Sequence, residues 1–449
     1  MDITVFITLL CTLSVMYLII GLYASKKAST NTEYFLAGRA LGIPEVTFTL
    51  VATQLGGAML LGTAAQGYVY GFYGIFYTLG ISIGFLLLGL GFAAKLQSLN
   101  VATTAQLFQT KYGSPTLKKI ASSLSIASMC GILIGQVIGS KTLLLGIGVS
   151  NEWLFLMLWA FIITYTMIGG LAAVVLTDIA QVIYIFLAFG AIFAYCLWQE
   201  PLNFFTSFSS IQDHFSHESF DLLSVLPIVI IPALFSLIEQ DLAQRFFAAR
   251  SASVAATSAL LASACIILFS CIPLYFGIKL KLLGIILPIG ADPLLASIEH
   301  LTNTTILAFG ICGILAAITS TADSMLCAIS SNLAQDFDFS AFGLHKGVRL
   351  SKAITLLTGL IAVGASYSIN KNIIDILIES YALSVSCLLV PLLFSYFSTN
   401  LKKRAAILSI CAGFFGFVFF RWFPVGIPKE FAALALSFVA YLIGQVSKR

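Results

Sequence analysis

The stretch Gly313–Ser331, GILAAITSTADSMLCAISS, decides how the rest of the chain is read. Wound as a helix, it puts Ala317, Ser320, Thr321 and Ser324 at i, i+3, i+4 and i+7, on one face. That face is small and rich in oxygen, and Asp323 stands at its edge. The apolar sequence on either side places it inside a membrane, where hydroxyls and a carboxylate are expensive unless they meet a partner. Oxygen ligands of this kind suit a hard cation such as Na⁺. Small residues and hydroxyls also pack membrane helices together, but Asp323 goes beyond what packing asks.

Composition extends that reading to the whole chain. Of 449 residues, 59% are hydrophobic and only 9% charged, and mean hydropathy is +1.02. A spanning helix needs about 20 apolar residues, and this chain offers many such runs. Only helices or a closed barrel satisfy the backbone in lipid, and runs that are continuous rather than alternating select helices. The fold class is therefore an all-α integral membrane protein. The net charge of +4 comes from basic residues beside the membrane, with no patch suited to nucleic acid. The nine cysteines are scattered without metal-binding spacing and read as small buried residues.

The apolar runs predict about thirteen transmembrane helices. They lie near residues 3–23, 45–70, 74–94, 120–149, 153–169, 173–198, 222–242, 254–278, 304–333, 353–369, 373–397, 405–420 and 431–446. The first is preceded by Asp2 and followed by Lys26 and Lys27, which reads as an uncleaved helix rather than a signal peptide. The loops at 25–39 and 95–119 are polar, and so is 199–221, whose His214 and His217 read as solvated. Basic residues crowd the loops on the Lys26 side, among them Arg39, Lys95, Lys111, Arg245, Arg250, Lys346 and Lys402–Arg404. The opposite side holds only Lys279, Lys281, Lys371, Arg421 and Lys429. The asymmetry predicts a plasma (inner) membrane protein with its N-terminus outside and its C-terminus cytoplasmic.

Two of these spans are interrupted. The second contains Thr53-Gln54-Leu55-Gly56-Gly57 in mid-membrane, and the seventh contains Pro227 and Pro232 at comparable depth. They start five helices apart and run in opposite directions, as an inverted repeat demands. Unwound backbone there would expose carbonyls and half-helix ends to ligands, although Gly and Pro can also simply kink a helix.

Several runs resemble the sodium:solute symporter family. They are YTMIGGLAAVVLTDIAQ at Tyr165–Gln181, EYFLAGR at Glu33–Arg39, the pairs Gln240-Asp241 and Gln244-Arg245 followed by Ala248-Ala249, and AAITSTADS at Ala316–Ser324. The resemblance extends from about Glu33 to Tyr396. It implies a leucine-transporter-like fold in a single transmembrane domain. Residues 45–198 and 222–397 would be inverted five-helix repeats, with one helix before (1–44, including its loop) and two after (398–449). It also implies a secondary active transporter in which inward Na⁺ flow drives uptake of a small polar organic solute by alternating access. Na⁺ is the coupling ion, and no other cofactor is expected. By position, the family's sodium site would use the carbonyls of Ala52, Leu55 and Ala317 and the hydroxyls of Ser320 and Thr321. In some relatives a second sodium binds at positions matching Asp178, Ser320, Asp323 and Ser324. Those relatives often have Ser where this chain has Asp323, which leaves a second cation and a proton both open. Solute contacts would fall on Thr53, Gln54, Gly57, Gln136 and Lys141. Proline carriers of the family have Asp where this chain has Gln54, which argues against proline.

The residues bear on Asp178 independently. It lies about four residues into the sixth helix, roughly 6 Å along its axis, a depth similar to that of Asp323 and Ser324. The alternative is an interfacial carboxylate capped by neighbouring amides. Lys141, in GQVIGSKTLLL at Gly135–Leu145, sits where a Lys costs about 2.5–3.5 kcal/mol. It would snorkel, pair with Asp375 or Glu379, or meet a substrate carboxylate. Other functional classes find less support. A sensor on the same fold would carry a signalling domain, and the chain stops soon after Val446. An enzyme would need a cluster around His214, His217, His300 or His345, and a channel would need a filter loop or charged ring. A proton-coupled or solute-sensing protein on the same fold is the runner-up.

Overall fold

Hydrocarbon offers backbone groups no partner, so a chain this apolar satisfies its peptides within helices. The computed structural model describes residues 2–26, 30–199, 222–288, 291–343, 345–369, 373–423 and 425–446. Among them the chain is helical throughout, and its only β pairings are the isolated bridges Leu41–Ala249 and Val425–Ile427. The predicted polar loop with His214 and His217 lies outside the described residues, as do Lys27, Lys371, Lys448, Arg449 and the side chain of Asp375.

In order the helices are α1 (Ile3–Ser25), α2 (Asn31–Leu36), α3 (Ile43–Gln54), α4 (Gly57–Tyr70), α5 (Phe76–Leu87), α6 (Ala93–Ser98), α7 (Gln106–Thr110), α8 (Pro115–Gly146) and α9 (Glu152–Gln199). Beyond residue 221 come α10 (Leu222–Ser236), α11 (Gln240–Ala248), α12 (Ala252–Leu282), α13 (Pro293–Leu301), α14 (Thr304–Asp336) and α15 (Val348–Ser366). The last are α16 (Ile373–Ser384), α17 (Val390–Phe397), α18 (Lys403–Trp422) and α19 (Lys429–Val446). Among the described residues, eleven helical runs are long and apolar enough to cross a membrane. Two of these, Gly57–Ser98 with 42 residues and Glu152–Gln199 with 48, are too long for one crossing. At about 1.5 Å per residue the longer would measure roughly 72 Å, over twice the ~30 Å hydrocarbon core. Each turns at a glycine with positive φ, Gly71 (φ 63°) and Gly170 (φ 58°). The second falls between the predicted spans 153–169 and 173–198, at the Gly169-Gly170 pair.

The run that opened the sequence reading is the core of the molecule. In α14, 83% of the apolar window is buried, against 11% in α1, so α14 is walled by protein and α1 mostly by lipid. α8 begins earlier than the predicted residue 120, because Ser114 caps it by accepting from the Leu117 N–H and Pro115 fits its first turn.

The first predicted interruption is present. α3 and α4 are separated by Leu55 and Gly56, the latter with extended ψ of 176°. The second is displaced. Pro227 and Pro232 lie inside α10, and the chain unwinds further on, at Leu237–Glu239. A proline removes only its own N–H, and α10 continues past both. It then tightens through Leu237 N–H to Leu234 O (3.2 Å) and Ile238 N–H to Phe235 O (3.0 Å), and Glu239 is extended (ψ 127°). The start of α3 is tied to the end of α11 by backbone bonds. Leu41 N–H donates to Ala248 O (3.1 Å) and Arg250 N–H to Leu41 O (2.9 Å).

Gly170 combines φ 58° with ψ −151°, a region only glycine occupies freely, and a Cβ there would strike the carbonyl of Tyr34. Gly170→Ala is expected to lose about 1–3 kcal/mol from backbone strain alone. Fluorescence-detected gel filtration after graded heating should show a lower melting midpoint. A wild-type midpoint would mean that the turn is not required.

Candidate functional site

Unwinding at Leu55–Gly56 leaves the last carbonyls of α3 without helical partners, and α14 supplies them. Ser320 Oγ lies 3.0 Å from Ala52 O and 2.9 Å from Ala317 O, as a donor to either. Thr321 Oγ1 lies 2.9 Å from Thr53 O and 3.3 Å from Ala317 O. The approach is close enough to need glycine, since a Cβ on Gly56 would overlap Thr321 Oγ1. Of the five residues predicted as sodium ligands, Ala52, Ala317, Ser320 and Thr321 therefore converge. Leu55 lies buried in the unwound turn, but Thr321 faces the carbonyl of Thr53 instead. The converging groups are neutral oxygens, and no carboxylate is among them.

A second polar cluster lies beside the first, built around a guanidinium. Arg245, predicted as a loop cation, is fully buried. Its Nε donates to Thr49 Oγ1 (2.8 Å), its Nη1 to Asp241 O (2.8 Å), and its Nη2 to Ser324 Oγ (2.5 Å) and Asp178 Oδ2 (3.4 Å). Asp178 also accepts from Thr49 Oγ1 at 2.5 Å. Asp323 accepts from the Tyr165 hydroxyl at 2.5 Å, and its Oδ1 lies 3.5 Å from Ser324 Oγ. Asp178, Asp323 and Ser324 thus lie in one network, with a resident cation, Arg245, on Asp178 and Ser324. Asp178 Oδ1 and both carboxylate oxygens of Asp241 have no hydrogen-bond partner.

A compact cavity adjoins the first cluster through Thr53 and Thr321, and both unwound turns line it. Thr53, Gln54 and Gly56 come from the first break and Glu239 from the second, with Gln136 of α8, Tyr77 of α5 and Tyr381 of α16 opposite. Gln136 Oε1 accepts the Gly57 N–H (3.3 Å) at the start of α4. Lys141 is not part of this lining. Its ammonium lies 3.7 Å from Glu152 Oε1 and 3.9 Å from the centre of the Tyr367 ring, on a partly exposed side chain. The predicted partner Glu379 instead pairs with Arg421 at 3.1 Å. Sequence reasoning missed Glu239. The available signal was an acid wedged between an apolar run and the Gln240–Arg245 motif.

A sequence profile of the sodium:solute symporter family matches residues 34–413, most of the chain. The chain belongs to that family. It is 23% identical to sodium/proline symporter 2 of Staphylococcus saprophyticus, over 88% of this chain and 82% of that protein. It is 27% identical to the high-affinity choline transporter 1 of Torpedo marmorata, over 72% of this chain and 60% of that one. The match to a putative sodium-dependent multivitamin transporter of Drosophila melanogaster is 27% identical over 42% of this chain. Several relatives are matched over only about a third of their own length, 32% for the Drosophila protein. A Na⁺-coupled sialic acid symporter, solved substrate-bound and outward-open, superposes with a TM-score of 0.80 over 98% of this chain and 96% of its own, at 15% identity. A nucleobase-cation-symport-1 family transporter does so at 0.61 and 12% identity. These neighbours show the shared fold.

Removing one member of a buried, hydrogen-bonded ion pair typically destabilises by about 3–5 kcal/mol. Arg245→Gln is expected to fall in that range, because it strands Asp178 and Asp241 together. Adding Asp178→Asn to it should recover part of the loss in a thermal unfolding assay. Equal stability of wild type and Arg245→Gln would mean that the guanidinium is not what holds α9, α11 and α14 together.

Proposed function

We propose that this protein is a sodium-driven importer of a small polar organic solute, working by alternating access. The observation that carries the reading is the meeting of the Ser320 and Thr321 hydroxyls with the carbonyls of an unwound membrane helix. That arrangement stands next to a cavity lined by two helix breaks. Broken helices of this kind place ion and solute sites near the midplane of secondary transporters. Ala52, Leu55, Ala317, Ser320 and Thr321 would hold Na⁺, and Thr53, Gln54, Gly57 and Gln136 would face the solute. Splitting the two overlong runs at Gly71 and Gly170 gives thirteen crossings, divided into inverted repeats at about 45–198 and 222–397. The N-terminus lies outside and the C-terminus in the cytoplasm. Similarity to sodium-coupled proline and multivitamin carriers supports the ion, while the spread of their solutes leaves the solute to the site's own chemistry.

The double variant Ser320→Ala/Thr321→Ala removes both hydroxyls at no loss of helix propensity. Each lost contact to a charged group is worth ~1.5–3 kcal/mol. The sodium concentration for half-maximal uptake in proteoliposomes should therefore rise on the order of ten-fold or more. Unchanged sodium dependence in protein that still inserts would refute the site.

The acidic cluster supports a second coupling step. Asp178 and Asp241 flank one guanidinium and Asp323 adjoins it through Ser324, so the charge balance leaves room for another positive charge, a second Na⁺ or a proton. If a second Na⁺ binds there, Asp323→Asn should lower the sodium Hill coefficient towards one. If a proton does, the pH dependence of uptake should flatten in that variant. Sodium and pH curves that both match wild type would leave Asp323 structural.

A further inference from the structure

The cavity between the two breaks holds a carboxylate that the sodium site does not use. Glu239 is 6% exposed and lines this cavity, at the extended residue where α10 ends and α11 has not begun. Among the described residues no Lys, Arg or His lines the space. The Gln54 side-chain amide reaches Glu239, and the charged group that bears on it most is a second carboxylate, Asp241, with Arg245 beyond it. The buried cation closest in sequence, Arg245, is committed to Asp178 and Asp241. A carboxylate at membrane depth is expensive without a positive partner. Here the lining supplies amides and hydroxyls, Asp241 adds a second negative charge, and the one guanidinium nearby is shared between Asp178 and Asp241.

The rest of the lining suits the same ligand. The Tyr77 and Tyr381 hydroxyls hydrogen-bond to each other at 3.1 Å. The Tyr381 ring stacks on Phe235 with centroids 4.3 Å apart. Aromatic faces beside a carboxylate attract a cationic nitrogen through the ring quadrupole. Opposite stands Gln136, 1% exposed, whose Oε1 is taken by the Gly57 N–H and whose Nε2 has no partner. A buried amide donor left without an acceptor is a cost that an arriving oxygen would remove.

We propose that the solute carries a positively charged nitrogen that pairs with Glu239, and an oxygen at its other end that accepts from Gln136 Nε2. This rests on the sodium-importer reading and narrows its solute class. Because the oxygens at the first break are all neutral, and Glu239 is not among them, its charge is left to balance the solute rather than that ion. Quaternary and protonated nitrogens share this chemistry, and the test distinguishes them.

The full-length protein in detergent would be melted in NaCl or KCl with choline, methylammonium or alanine. The controls are dimethylbutanol, which is choline with carbon in place of nitrogen, and propionate, which is alanine without its amine. At least one nitrogen-bearing probe should raise the melting temperature in NaCl, and its nitrogen-free counterpart should not. Choline alone would mark a quaternary site, and alanine or methylammonium a protonated amine. In Glu239→Gln, the apparent affinity for that probe should fall about thirty-fold or more, as when a buried charge loses its partner. Glu239→Asp should bind more weakly than wild type but better than Glu239→Gln. If the variants do not fold, the paired probes on the wild type decide alone. Equal stabilisation by the nitrogen-free probes, no stabilisation by any cationic probe, or wild-type affinity in Glu239→Gln would overturn the proposal. A wild type that NaCl stabilises no better than KCl would instead sink the sodium-importer reading.

Discussion

Unwinding a helix in the middle of a bilayer leaves peptide groups that lipid cannot satisfy. The rest of this structure follows from how that deficit is met. At the first break the hydroxyls of α14 reach the carbonyls of Ala52 and Thr53, and the side-chain amide of Gln136 takes the N–H of Gly57. These contacts require α14 to pass close to the turn, which is why Gly56 has no side chain and why α14 is the most buried of the spanning runs among the described residues. A polar face in hydrocarbon and a broken helix are each unstable alone, and together they are complementary. The groups that repair the break are also oxygen donors for a small cation.

Charge follows the same logic. Arg245 is fully enclosed, with Thr49, Ser324, Asp178 and Asp241 around its guanidinium. The cluster joins α3, α9, α11 and α14, so the three long-range partners of the guanidinium come from three different helices. Asp323 stands apart from it, held by Tyr165. Carboxylates outnumber cations in this core, which sets it apart from an inert structural ion pair.

Much of this was legible because it is local. A glycine pair inside an apolar run marked the turn at Gly170, and a Gly-rich polar interruption marked the break after Gln54. A face of hydroxyls at helical spacing marked the side of α14 that meets it. What the sequence hid depends on partners distant in the chain. Pro227 and Pro232 advertised a break that falls instead at Leu237–Glu239, because one missing N–H does not end a helix. Arg245 read as a loop cation, since hydropathy cannot see two carboxylates and two hydroxyls folding around it. Glu239 read as the end of a span, since nothing in the chain says that it faces a cavity. Lys141 met Glu152, close in sequence across the turn that follows α8, while Glu379 of α16 went to Arg421.

The backbone bridge between Leu41 and the end of α11 has a mechanical meaning. Two peptide hydrogen bonds, with the Arg39 guanidinium donating to Phe247 O (3.3 Å) and Val101 O (3.0 Å), clamp the start of one broken helix to the finish of the other. Clamped segments of this kind rotate as a single lever. Bending of the pair would then fall at Leu55–Gly56 and Leu237–Glu239, and each of these turns contributes a residue, Gly56 and Glu239, to the cavity lining. Any tilt of the lever reshapes the binding chamber directly, with no intervening linkage to absorb it.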